Sequence, residues 1–61
     1  MNTLIRYGGR EYEFEKFISD SVIECKDGTQ FPVYILEFKF NENWITWDNM
    51  TNGQKAMLLR H

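Results

Sequence analysis

The sequence holds one cysteine (Cys25), one proline (Pro32) and one histidine (His61). With a lone thiol, neither an intramolecular disulfide nor a multi-cysteine metal cage can form, and a single unpatterned cysteine suits a reducing compartment. The histidine is the last residue, where a frayed terminus gives a general base nothing to hold it in place. No apolar run approaches the ~20 residues a membrane span requires. The opening Met1-Asn2-Thr3-Leu4-Ile5-Arg6 also lacks the apolar stretch of a signal peptide. Neither sign of charge dominates: seven basic and nine acidic residues are interspersed, for a net charge of −2. Nucleic-acid binders carry a basic excess or stripe, so neither nucleic acid nor a membrane is the expected partner. The expectation is an intracellular domain, cytoplasmic, or nuclear in a eukaryote.

Aromatics are missing from the last fourteen residues, yet ten occur between Tyr7 and Trp47. A 61-residue chain has room for one small domain, 1–61, and a domain of this size buries only roughly 60% of the surface its unfolded chain exposes. Rings that bury about 150–250 Å² each can compensate. Many of them alternate with charged residues, as in Tyr12-Glu13-Phe14-Glu15 and Glu37-Phe38-Lys39-Phe40. Such alternation places one strand face in a core and the other in water.

Residues 3–7 and 10–18 flank Gly8-Gly9, a pair suited to a two-residue hairpin loop with positive φ at both positions. The simplest register sets Ile5 opposite Tyr12 and Arg6 opposite Glu11, apolar on one face and oppositely charged on the other. Ser19-Asp20-Ser21 reads as a turn. Residues 21–26 and 29–40 flank Asp27-Gly28, a second hairpin signal. Pro32 cannot donate to a ladder and marks an edge or a bulge. Beyond it, residues 33–40 read as the strongest strand, with Tyr34, Leu36, Phe38 and Phe40 on one face. Asn41-Glu42-Asn43 then turns the chain into a short strand, 44–47. In the tail, Thr51-Asn52-Gly53-Gln54 fits a capping box, and Lys55-Ala56-Met57-Leu58-Leu59-Arg60 are good helix formers. A helix of about ten residues is unstable alone, so Met57 and Leu58 are expected to dock on the sheet. The fold class is α+β, mainly β: a curled antiparallel sheet of four or five strands with one short C-terminal helix.

Catalysis finds little support in the inventory. Cys25 has no histidine near it in sequence. Glu11, Glu13 and Glu15 form a solvated strand face rather than an acid–base pair. Gly8-Gly9 lacks the following helix of a phosphate-binding loop, and metal-ligand clusters are absent. The chain is therefore read as non-enzymatic, without metal or cofactor. The remaining candidate site is aromatic: Tyr12, Phe38 and Trp44, with Phe40 and Glu42 beside them. Inward-facing rings around a gap bind a cation at about 0.5–2 kcal/mol per contact, and Glu42 would add charge complementarity. The competing reading is a core of Phe14, Phe17, Tyr34, Leu36 and Trp47.

Glu11-Tyr12-Glu13-Phe14-Glu15-Lys16 resembles the E-Y-x-x-E-K opening of chromodomains. Tyr34-Ile35-Leu36-Glu37-Phe38-Lys39 resembles their Y-L-V-K-W-K strand, and Thr46-Trp47-Asp48 their T-W-E, with a C-terminal helix following. The Gly8-Gly9 hairpin looks Tudor-like. The resemblance spans residues 11–61 and implies a small SH3/chromo-like curled sheet that recognises methylated lysine in a peptide, through an aromatic cage and strand pairing. Tyr12 matches the first cage position and Phe38 the second. Asn41 stands where the third ring belongs, and Phe40 or Trp44 would have to substitute.

The function expected is a binding module that recognises a protein segment through a sheet edge and an aromatic patch, with a methyl-lysine or other cationic side chain as one target. The alternative is a small stand-alone regulator or inhibitor, of the type phages and mobile elements encode, that occludes a larger host protein. Homodimerisation through an unpaired edge strand is also open.

Overall fold

Gly8 and Gly9 both adopt positive φ, 61° and 76°, in the computed structural model, which describes residues 3–60. They join β1 (Leu4–Tyr7) to β2 (Arg10–Phe17). The register is the expected one, with Ile5 opposite Tyr12 and Arg6 opposite Glu11. A Cβ at either glycine would meet nothing within 4 Å, so it is the backbone conformation that calls for glycine here.

β2 is long enough to serve two neighbours. It pairs with β1, and its second half pairs with β3 (Val22–Cys25), with a bulge between Phe14 and Lys16. The extra residue, Glu15, shifts the alternation by one, so that Phe14 and Phe17, three positions apart, both face Cys25 and Ile23 on the inner side. Ser19-Asp20-Ser21 forms the turn, with the Ile18 N–H donating to the Val22 carbonyl at 2.9 Å. After β3 the chain passes through residues 26–28 to β4 (Gln30–Pro32). The Gly28 N–H donates to the Cys25 carbonyl at 2.9 Å, and Gly28 takes φ 91°, a three-residue loop ending in a left-handed glycine.

The segment 33–40 is not one strand. Val33–Ile35 is a 3-10 turn, and β5 is only Glu37–Phe40. That split makes six strands among the described residues, against the four or five expected. The cause is topological. β5 pairs with β1 rather than with its sequence neighbour β4, so the chain must leave the ladder to cross. Pro32, which has no N–H, ends β4. The turn sends Val33 into the core and leaves Tyr34 66% exposed, which corrects its expected place among the core rings. β6 (Asn43–Thr46) completes an antiparallel sheet of order β4-β3-β2-β1-β5-β6. The sheet curls without closing: Phe31 of the edge strand β4 reaches Tyr12 at 4.9 Å and Tyr7 at 5.5 Å between ring centroids.

A second 3-10 turn, Trp47–Asn49, leads to α1 (Asn52–Leu59). The capping box is formed as the sequence suggests. The Gln54 N–H donates to Thr51 Oγ1 at 3.1 Å, and the Thr51 N–H donates to Gln54 Oε1 at 2.9 Å. Leu58 docks and is buried, whereas Met57 is 55% exposed, so only one of the two expected anchors holds the helix down. His61 lies outside the described residues, as do Met1 and Asn2. Among the described residues no helix is long and apolar enough to cross a membrane.

The core comprises Ile5, Phe14, Ile23, Cys25, Val33, Leu36, Phe38, Met50 and Leu58, with Phe17 and Trp47 packed against it. Phe38 touches Phe14 and Trp47 at centroid separations of 6.5 and 6.0 Å. Truncating a fully buried Phe costs about 3–5 kcal/mol, comparable to the whole stability expected of a domain this small. Phe38→Ala is therefore expected to unfold the chain in a urea titration. Tyr34→Ser, at an exposed turn, should leave the midpoint within about 0.5 kcal/mol of the parent.

Candidate functional site

The five residues singled out in the sequence do not meet. Tyr12 and Phe38 point to the inner face, on either side of Ile5. Phe38 is completely buried, so it is a core residue and cannot contact a ligand. Phe40 shares that face and packs against the core. Trp44 pairs with Lys39 and Phe38 with Ile45, which puts Trp44 on the outer face, opposite Phe38. Glu42 is exposed in the β5–β6 turn. The physical reason is loop length. A three-residue turn over 41–43 would set Phe40 against Trp44 and keep the rings on one side. The actual loop has two residues, Asn41 and Glu42, with Asn43 already paired to Phe40. Asn41 absorbs the positive φ of 56°, which asparagine tolerates better than most residues. One residue of slip inverts every side chain that follows, and the cage is lost with it.

Two separate aromatic sites result. At one end of the sheet Tyr7, Tyr12 and Phe31 cluster, with the Arg10 guanidinium 5.1 Å from the Tyr12 ring centroid. A cleft of about 380 Å³ beside Tyr12 is also lined by Arg10, Lys26 and Asp27. The Thr29 N–H donates to Asp27 Oδ1 at 2.9 Å, and this bond, with Arg10 nearby, holds the carboxyl below its ordinary range. Cations and carboxylates alternate around this cleft, so it presents no single sign of charge to a ligand.

The second site is the outer face at β6. Arg6 stands over the Trp44 ring at 4.3 Å, and Lys39 Nζ lies 5.7 Å from its centroid. Arg6 Nε donates to Glu37 Oε1 at 3.0 Å. Arg6 thus bonds Glu37 on β5 as well as standing opposite Glu11 on β2. An ion pair this exposed contributes about 0–1 kcal/mol, and the cation–π contact about 0.5–1 kcal/mol. Their main effect is to fix the indole against the sheet, with its cationic partners supplied from within the chain.

Beside Trp44 runs the open edge. The phase of the ladder follows from one bond, Phe14 N–H to Thr3 carbonyl at 2.8 Å. Thr3, Ile5 and Tyr7 therefore bond toward β2, and antiparallel alternation gives Arg6 to Glu37. Phe38 and Phe40 then bond to Ile45 and Asn43. The N–H and C=O groups of Trp44 and the N–H of Thr46 point away from the sheet, toward the side where, among the described residues, no strand pairs with β6, and the Thr46 carbonyl opens the 3-10 turn Trp47–Asn49. The sequence points to Trp44 and to a sheet edge but does not assign that edge to β6, because the assignment depends on which strand comes last in the sheet.

Cys25 is buried. Burial, then the carboxylates of Asp27 and Glu24, push its thiol up to about 11, the reverse of what a nucleophile requires. The folded chain holds this proton more tightly than the unfolded one, whose thiol ionises near 9.0. The resulting stabilisation is present in full below about pH 9 and is lost as pH rises toward 11. Urea midpoints of the parent should therefore fall relative to those of Cys25→Ala across that window. Parallel pH profiles for the two proteins would contradict it.

No family model, curated protein or solved structure matches this chain.

Proposed function

We propose that this chain is a non-enzymatic binding module that takes an extended segment of a partner protein along β6. The observation that carries the reading is the edge itself. Asn43-Trp44-Ile45-Thr46 contains no charge and no proline, two of the devices that blunt an exposed strand. The opposite edge, β4, is three residues long and ends in Pro32, so it is already blunted. Strand addition supplies affinity through main-chain bonds and selectivity through alternate side chains. Here the Trp44 N–H and C=O and the Thr46 N–H are the outward backbone groups, and the Trp44 ring lies beside them on the outer face as an anchor. Peptide capture by strand pairing is also the mode implied by the chromodomain resemblance. The separation of Trp44 from Tyr12 and Phe38 removes the cage from that reading and leaves the pairing.

The test is selection of extended peptides from a displayed library against the immobilised chain, followed by titration of the selected peptides. Trp44→Ala should weaken their binding about tenfold or more, the effect of about 1.4 kcal/mol. The ring lies on the outer face away from the core, so the variant should stay folded. Equal binding to the parent and to Trp44→Ala would remove the edge from the account.

A further inference from the structure

We infer that β6 of a second copy of this chain is itself an occupant of the β6 edge, joining two sheets into one through a two-fold axis. The inference rests on reading β6 as a binding edge and names the strand that suits it.

Symmetry restricts the pairing. A two-fold axis perpendicular to the sheet keeps outer faces together, and directly opposed residues must share a face. Trp44 is on the outer face and Ile45 on the inner, so Trp44 cannot oppose the second copy's Ile45. Two compact registers remain, one centred on Trp44 and one on Ile45. The Trp44-centred register sets Lys39, Trp44, Trp44 and Lys39 in one transverse row, with like charges at its two ends. It also carries the outward N–H of Thr46 past the end of the strand, opposite Glu42 in the turn.

The Ile45-centred register meets both requirements. Trp44 of each copy opposes Thr46 of the other, so each Thr46 N–H donates to the Trp44 carbonyl of the other copy, giving two backbone hydrogen bonds across the interface, while the Thr46 carbonyl stays with the 3-10 turn that it opens. On the outer face Glu37 lies beside Thr46 and Lys39 beside Trp44. The row therefore reads Glu37, Thr46, then Trp44 and Lys39 of the second copy, with opposite charges at its two ends, and the axis generates this row twice. On the inner face Ile5, Phe38 and Ile45 continue into the same three residues of the second copy as one apolar row. A four-residue edge covers less than the about 1,200–2,000 Å² typical of a stable interface. The dimer therefore dissociates on dilution, which frees the same edge for another strand.

Sedimentation of the full chain from micromolar to millimolar concentration should show the mass rising from monomer toward dimer. Thr46→Pro isolates the interface. Thr46 has φ −78°, which proline accepts, and its N–H faces the open side, so the substitution removes an intermolecular donor while the β5–β6 ladder is kept. This variant should remain monomeric throughout, with an unchanged urea midpoint. Lys39→Glu, which puts a carboxylate at both ends of each outer row, should also weaken association, and more so at low salt. A parent that stays monomeric at the highest concentration overturns the inference. So does a Thr46→Pro variant that is folded and dimerises undiminished. If the monomeric parent still binds library-selected strands, the dimer alone fails; if it binds none, the edge reading fails with it.

Discussion

β1, a four-residue strand at one end of the chain, holds the two halves of the sheet together. The strands β2, β3 and β4 form one ladder and β5 and β6 another, and only β1 pairs with both. Ile5 sits at the junction, fully buried between Tyr12 and Phe38. On the opposite face of the same joint Arg6 bonds Glu37 and covers Trp44. The ion pair and the stacked cation are individually weak, but they sit over a contact that closes a sequence separation of more than thirty residues. Closing such a loop costs entropy before any contact repays it. The apolar row through Ile5 is what makes that closure favourable.

That joint also determines where function can reside. Because β1 takes the place beside β5, β4 ends one side of the sheet and β6 the other. The chain blunts β4 with Pro32 and curls it toward Tyr7 and Tyr12 through Phe31. β6 has no such protection. An open, uncharged edge beside an oriented indole is the feature from which both the binding module and its self-pairing are argued.

Much of this was legible in the sequence, and the reasons for failure are specific. The Gly8-Gly9 hairpin and the Thr51–Gln54 capping box are local, and each was readable because the residue types that form it do little else so well. The break over Val33–Ile35 was not readable, because Tyr34, Leu36, Phe38 and Phe40 alternate as well as any strand does. Only the need to cross from β4 to β5 interrupts them. Phe17 reaches the core through the bulge at Glu15, which no periodicity announces. The sequence groups Trp44 with Tyr12 and Phe38, but a turn of two residues rather than three puts it on the opposite face. Register errors of this kind are invisible to composition and decisive for a site.

Amide hydrogen exchange along β6, in dilute solution where the chain is monomeric, tests the central claim most directly. The open-edge geometry predicts alternation: Asn43 and Ile45, bonded to β5, should be protected, while Trp44 and Thr46 exchange freely. Adding a strand at this edge should then slow Trp44 and Thr46 alone. Protection of all four amides in the monomer, or protection of Trp44 and Thr46 in place of their neighbours, would contradict the account.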